Sequence, residues 1–276
     1  MKVKLVPDLE SYKRMSTEQL REAFLITDLF AAGKAQLYYV DVDRAVVGSV
    51  VPTKEKLKLE TAKELASTFF AERREIGVIN IGEPGAITVD GSKFELKQRD
   101  SLYIGRGSKD IAFESASPSQ PAQFYLQSYP AHQAFPTKLI AKDKANQVHL
   151  GSEKDANKRT IFQPIRTGVV ESCQIVMGFT ELAEGCVWNT MPPHTHLRRS
   201  EIYLYFDLAD NARVFHFMGE PSATRHFVMA NCQAVISPSW SIHCGAGTNS
   251  YSFIWCMGGE NQEFTDMDAV QMDQLK

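Results

Sequence analysis

The sequence has no paired cysteines, no long apolar run and no block of like charge. Its five cysteines, Cys173, Cys186, Cys232, Cys244 and Cys256, stand singly, and no Cys-x-x-Cys occurs. An odd, scattered set argues against a disulfide framework and reads as reduced, mostly buried thiols of a cytosolic protein. No window approaches the ~20 consecutive apolar residues that a membrane span needs. Met1 to Tyr12 is charged and mixed, without the apolar segment of an export signal. The 30 Lys and Arg against 33 Asp and Glu give a net charge of −3. Without clustered basic residues there is no footprint for nucleic acid.

What is present is ordinary globular composition followed by a strong β rhythm. Ser16-Thr17-Glu18-Gln19 forms a capping box, which predicts a helix from Leu20 to Ala32 ending near Gly33. Gln36–Val40 and Ala45–Val51 read as strands, and 61–74 as a second helix. From Glu75 onward short apolar runs alternate with turn residues, the pattern of a sandwich or barrel. Asp90-Gly91 is a hairpin turn between two such runs. Residues 130–160 are polar and read as solvated connection. The expectation is a mainly β chain in three parts. Residues 1–74 form a helical and strand lead-in, 75–150 a first barrel without metal ligands, and 151–276 a second, metal-binding barrel.

The chemistry concentrates in that last part. His194 and His196 are two residues apart, so an extended strand projects both to one side. Glu201 opens the next strand-like run, and His243 returns after the Pro238-bearing turn. Three imidazoles and a carboxylate suit Zn and other first-row transition metals. Pro192-Pro193 stiffens the approach to the first ligand. Four protein ligands close a tetrahedral structural site, whereas expansion to five coordination leaves room for substrate. Cys244 adjoins His243, and its side chain is expected on the opposite face. His216 and His226 read as packing or surface residues, His132 and His149 as solvated. Arg198 and Arg199 are candidates to hold a substrate carboxylate, because guanidinium matches that group bidentately. Arg166, Arg225 and Lys138 are weaker candidates. Glu201, Tyr203 and Tyr205 alternate and should face one interior.

The spacing His-x-His-x4-Glu, followed by Pro-x4-His, resembles the two metal motifs of the cupin superfamily. Trp240 stands where the common cupin pattern has glycine. A closer likeness is to the 5-keto-4-deoxyuronate isomerase family. It rests on Met191–His196, Arg198-Arg199, Glu201–Phe206, Val214–Gly219, Thr224–His226, Gln233–His243, Phe253–Trp255 and Gly258–Gln262. Arg73–Gly82 and Leu102–Gly107 carry it in the first half. The resemblance implies a bicupin of two jelly-roll barrels, with one zinc in the C-terminal barrel on His194, His196, Glu201 and His243. It also implies a cytoplasmic homohexamer working in pectin and uronate catabolism. The reaction implied converts 5-keto-4-deoxyuronate to 3-deoxy-D-glycero-2,5-hexodiulosonate. Such an isomerisation needs a general base near the working pH. Tyr203, Tyr205 and Glu260 are weak candidates, and the base stays open. Two other classes fit the same donors: an iron-dependent cupin dioxygenase, and a non-enzymatic sugar-binding cupin with a structural metal.

Overall fold

A computed structural model describes residues 1–260 and 262–276. Asn261, part of the Gly258–Gln262 likeness, lies outside the described residues. The chain divides into two compact units. One comprises Met1–Lys4, Asp28–Asn146 and Pro164–Met177, the other Leu5–Thr27, Gln147–Gln163 and Gly178–Lys276.

In the first unit, a seven-stranded sheet runs Lys2–Lys4, Lys34–Val40, Ala45–Val51, Phe124–Pro130, Arg74–Asn80, Ser101–Ile104, Lys138–Ile140. A four-stranded sheet runs Leu57–Lys58, Ile111–Ser115, Gly85–Val89, Ser92–Leu96. Strand alternation sends Ile76 and Val78 into one core with Val46, Ile104, Phe113 and Phe124. The Phe113 and Phe124 rings meet at 5.3 Å, tilted at 57°.

The second unit repeats the plan. Its seven-stranded sheet runs Asn146–Leu150, Arg159–Ile165, Val176–Leu182, Ser252–Gly259, Arg199–Phe206, Gln233–Ser237, Leu25–Ile26. Its four-stranded sheet runs Trp188–Asn189, Ile242–Gly247, Val214–Glu220, Ala223–Met229. A pair of facing sheets in each unit, antiparallel at the registered pairs except for Lys2–Lys4 against Lys34–Val40, is the layout of a double jelly roll, so the mainly β expectation holds.

Four expectations fail locally. The helix expected over Leu20–Ala32 spans only Thr17–Phe24, opened by the capping box and ended where Leu25 turns extended. Leu25 and Ile26 pair instead with Val235 and Ala234. An apolar run of this length reads equally well as helix or strand. Residues 61–74 contain a single 3-10 turn, Lys63–Leu65, whose end adopts left-handed φ at Ala66. The lead-in is therefore not a part of its own. Its helix and Leu25–Ile26 join the second unit, while Lys34–Val40 and Ala45–Val51 are strands of the first. The polar stretch 130–160 is not mere connection either, since Lys138–Ile140 and Asn146–Leu150 take places in sheets.

Candidate metal centre

The four foreseen donors meet in the second unit. His194 starts a two-residue strand held against Asp268–Ala269. Glu201 lies on Arg199–Phe206, central in the large sheet, and His243 on Ile242–Gly247 of the small one. One donor atom from each of His194, His196, Glu201 and His243 lies within 4.8 Å of all the others. His243 Nε2 is 3.1 Å from His194 Nε2 and 2.9 Å from Glu201 Oε2. His196 Nε2 is 3.0 Å from the same carboxylate oxygen. Donors bound ~2.0–2.2 Å from a common ion sit roughly 2.8–3.6 Å apart for bond angles of about 90–109°, so these three separations fit one first-row cation.

The outer faces of the rings agree. His196 Nδ1 donates to the Arg199 carbonyl at 2.9 Å. His243 Nδ1 donates to the Ser241 carbonyl at 3.3 Å. Each bond fixes the tautomer and turns the Nε2 lone pair inward, the usual way a protein presets a ligating histidine. His196, Glu201 and His243 are buried, and His194 is half-buried.

Electrostatics follow from this crowding. Burial pushes the Glu201 carboxyl up, but the His243 and His196 imidazoles outweigh it and hold it well below the usual carboxylate range. Burial, then the neighbouring His243, lowers His194 to about 3. His196 moves the other way: burial opposes its charge, but the hydrogen bond and charge of Glu201 prevail. The site thus gathers lone pairs that want one cation, with an ionised carboxylate already in place.

His194 and Glu201 line a cavity of about 360 Å³. Tyr203 lines it too, and its hydroxyl donates to the His243 carbonyl at 3.4 Å and lies 3.2 Å from Thr190 Oγ1. Burial pushes the Tyr203 phenol far above its ordinary value. It therefore keeps its proton and is a donor rather than a base. Tyr205 does not reach the cavity wall. Its hydroxyl lies 2.7 Å from His216 Nδ1, deep in the barrel, and His216 Nε2 is 3.4 Å from Ser237 Oγ. Glu260 is exposed, 3.5 Å from the exposed Arg198. Arg199 is fully buried, paired with Asp266 and placed over the Phe264 ring. Neither arginine lines the cavity, and neither do Arg166, Arg225 or Lys138. The cation that does is Arg159, inside the stretch 130–160 read as connection. Its alternation with Ile161 and Gln163, both on the same cavity wall, was the available signal. Cys244 packs with Ile242 and Val270, away from the donors.

The family model described as "KduI/IolB family" matches residues 25–273. The chain belongs to the KduI/IolB family. It is 51% identical over 276 residues, all of both chains, to the 4-deoxy-L-threo-5-hexosulose-uronate ketol-isomerase of Lachnoclostridium phytofermentans. A relative of that name, numbered 1, from Enterococcus faecalis is 50% identical over 264 residues, covering 96% of each. Among solved structures, an IolB-like protein from Salmonella typhimurium superposes with a TM-score of 0.73 at 13% identity, covering 90% of this chain and 96% of that one. An oxalate decarboxylase variant from Bacillus subtilis gives 0.61 at 10% identity, over 90% and 79%. These two show the cupin-type fold alone. Within this family member, the His-His-Glu-His group is the candidate metal centre.

Proposed function

We propose that this chain is a metal-dependent ketol isomerase that converts 4-deoxy-L-threo-5-hexosulose uronate to 3-deoxy-D-glycero-2,5-hexodiulosonate, with one zinc on His194, His196, Glu201 and His243. The observation that carries it is a four-donor cluster opening on a small cavity, in a chain half-identical over its length to named ketol-isomerases. Three nitrogens and one carboxylate oxygen, those of His194, Glu201 and His243 on strands and that of His196 held through the Arg199 carbonyl, support zinc as the ion.

The reaction exchanges an aldehyde and the neighbouring hydroxyl for a hydroxymethyl and a ketone. No outside oxidant or reductant is needed. When bound, the ion supplies Lewis-acid polarisation of the substrate carbonyl. The chain's own residues do the rest. Apolar walls, including Ile161, Phe253 and Met257, line the cavity, lower the local dielectric and strengthen the charge interactions within it. The protonated Tyr203 hydroxyl, whose contact with the His243 carbonyl is long at 3.4 Å, can turn its proton to a substrate oxygen instead. Glu201 is the one carboxylate among the described residues lining the cavity.

Metal analysis with an assay on the uronate tests this. The purified protein is expected to carry about one zinc per chain, matching a single four-donor site. Chelation should abolish turnover, zinc should restore it, and His194→Ala or Glu201→Ala should lose the metal. Turnover indifferent to chelation demotes the ion to a structural role. Absence of turnover in fully loaded protein refutes the isomerase.

A further inference from the structure

A uronate carries a carboxylate at the far end of its six-carbon chain from the reacting aldehyde. The metal centre accounts for the aldehyde end and for nothing at the other. The cavity wall holds one basic side chain besides His194, and it is Arg159. Arg159 opens the strand Arg159–Ile165, where alternation turns Arg159, Ile161 and Gln163 to the same wall. Its Nη1 donates to the Asn157 carbonyl at 2.8 Å, which anchors one terminal nitrogen of the fork. Among the described residues no Asp or Glu pairs with it, unlike Arg198 and Arg199, which face Glu260 and Asp266. Burial holds the half-buried guanidinium below its usual range, and it keeps its charge. An anion is what such a group lacks.

The spacing is right for one substrate to bridge both ends. In the large sheet, the Arg159 and Glu201 strands are separated by Val176–Leu182 and Ser252–Gly259. Three strand spacings of about 4.8 Å put the two backbones roughly 14 Å apart. The arginine stem reaches in from one side and the donor cluster from the other. An extended six-carbon chain spans roughly 6 Å between its end carbons, which suits the interval left.

We propose, resting on the isomerase reading, that Arg159 binds the substrate carboxylate and restricts the site to acids. It is a substrate-binding residue that fixes the orientation of the chain, so that only the aldehyde end meets the metal centre. Ion pairing in an apolar cavity gives this contact its weight, and the planar fork explains arginine rather than lysine.

The test compares zinc-loaded wild type, Arg159→Met and Arg159→Lys on the uronate and on its C6 carboxamide. Arg159→Met is expected to lower kcat/KM for the acid by about 100-fold, mostly through KM, as loss of a charged hydrogen-bonded pair implies. For the neutral carboxamide the change should stay within about threefold, since no charge pair is lost. Arg159→Lys should recover part of the loss on the acid only, and metal content should not change. Equal kcat/KM in wild type and Arg159→Met, or an equal loss on acid and carboxamide, overturns the assignment. If wild type turns over neither compound, the isomerase reading falls by itself. Calorimetric titration with the same uronate then decides on Arg159. Binding lost in Arg159→Met upholds it, whereas equal binding in both proteins, or none to wild type, overturns it.

Discussion

Arg198 and Arg199 are neighbours in the chain with opposite fates. Alternation along Arg199–Phe206 turns Arg199 inward with Glu201, Tyr203 and Tyr205, where it is buried against Asp266 and Phe264. Arg198 is left outside, its head 3.5 Å from the exposed Glu260. An exposed pair of this kind contributes at most about 1 kcal/mol, and both groups lie off the cavity wall. Arg198→Ala and Glu260→Gln are therefore each expected to leave kcat/KM on the uronate within about twofold of wild type, because neither loses a buried or transition-state contact. Steady-state kinetics checks this, and a tenfold loss in either would place that side chain back in the site. The donor set itself was legible in the sequence, because two histidines at i, i+2 and a nearby carboxylate state a local geometry. The residues around it were not. Alternation puts Arg159 on a face with Ile161 and Gln163, but that this face lines the cavity depends on sheet neighbours that no local spacing encodes.

The same division between local and non-local information holds for the elements. The hairpin at Asp90-Gly91 was readable because both residues tolerate left-handed backbone, with φ of 47° and 84°. Val89 pairs with Ser92 across it, the register of a two-residue type I′ turn. The Asp90 carboxylate adds its own support, accepting from the Lys109 and Asp110 amides at 2.9 Å each. Gly91→Val should thus destabilise the folded chain by about 1–2 kcal/mol, the cost of forcing a β-branched residue into that region. Urea unfolding would register it as a lower midpoint at unchanged slope, and an unshifted midpoint would refute it. Strands such as Ala45–Val51 and Ser101–Ile104 were equally plain, being apolar at most of their positions. Asn146–Leu150 was missed for the opposite reason. It is largely exposed, so its composition resembles a loop. The Leu25–Ile26 strand was missed because its apolar residues continue those of the helix before it.

Taken whole, the second barrel confines several titratable groups that the unfolded chain leaves in water, and pH must act on that difference. In metal-free protein, burial lowers His194 and His216 to about 3 each, against ~6.5 when unfolded. The folded state then stays neutral at these rings while the unfolded state takes up protons below pH ~6.5. Their share of stability is complete above that value and is lost as pH falls from about 6.5 toward 3. His196 is raised, so its share is present below pH ~6.5 and disappears as pH rises through its folded value. Two lowered groups outweigh one raised group on the acid side. Glu201, held low, adds to the loss below pH ~4.5. Chelated protein should therefore lose stability steadily between pH 6.5 and 5, with His216 alone accounting for about 1.4 kcal/mol per pH unit. His216 sits behind the donors, against Tyr205 and Ser237, so His216→Gln removes that share without removing a ligand. Denaturant melts of the chelated wild type and variant across this range give the two slopes. The variant's should be shallower by about one proton, whatever its absolute stability. Parallel slopes would mean that His216 is charged inside the folded barrel.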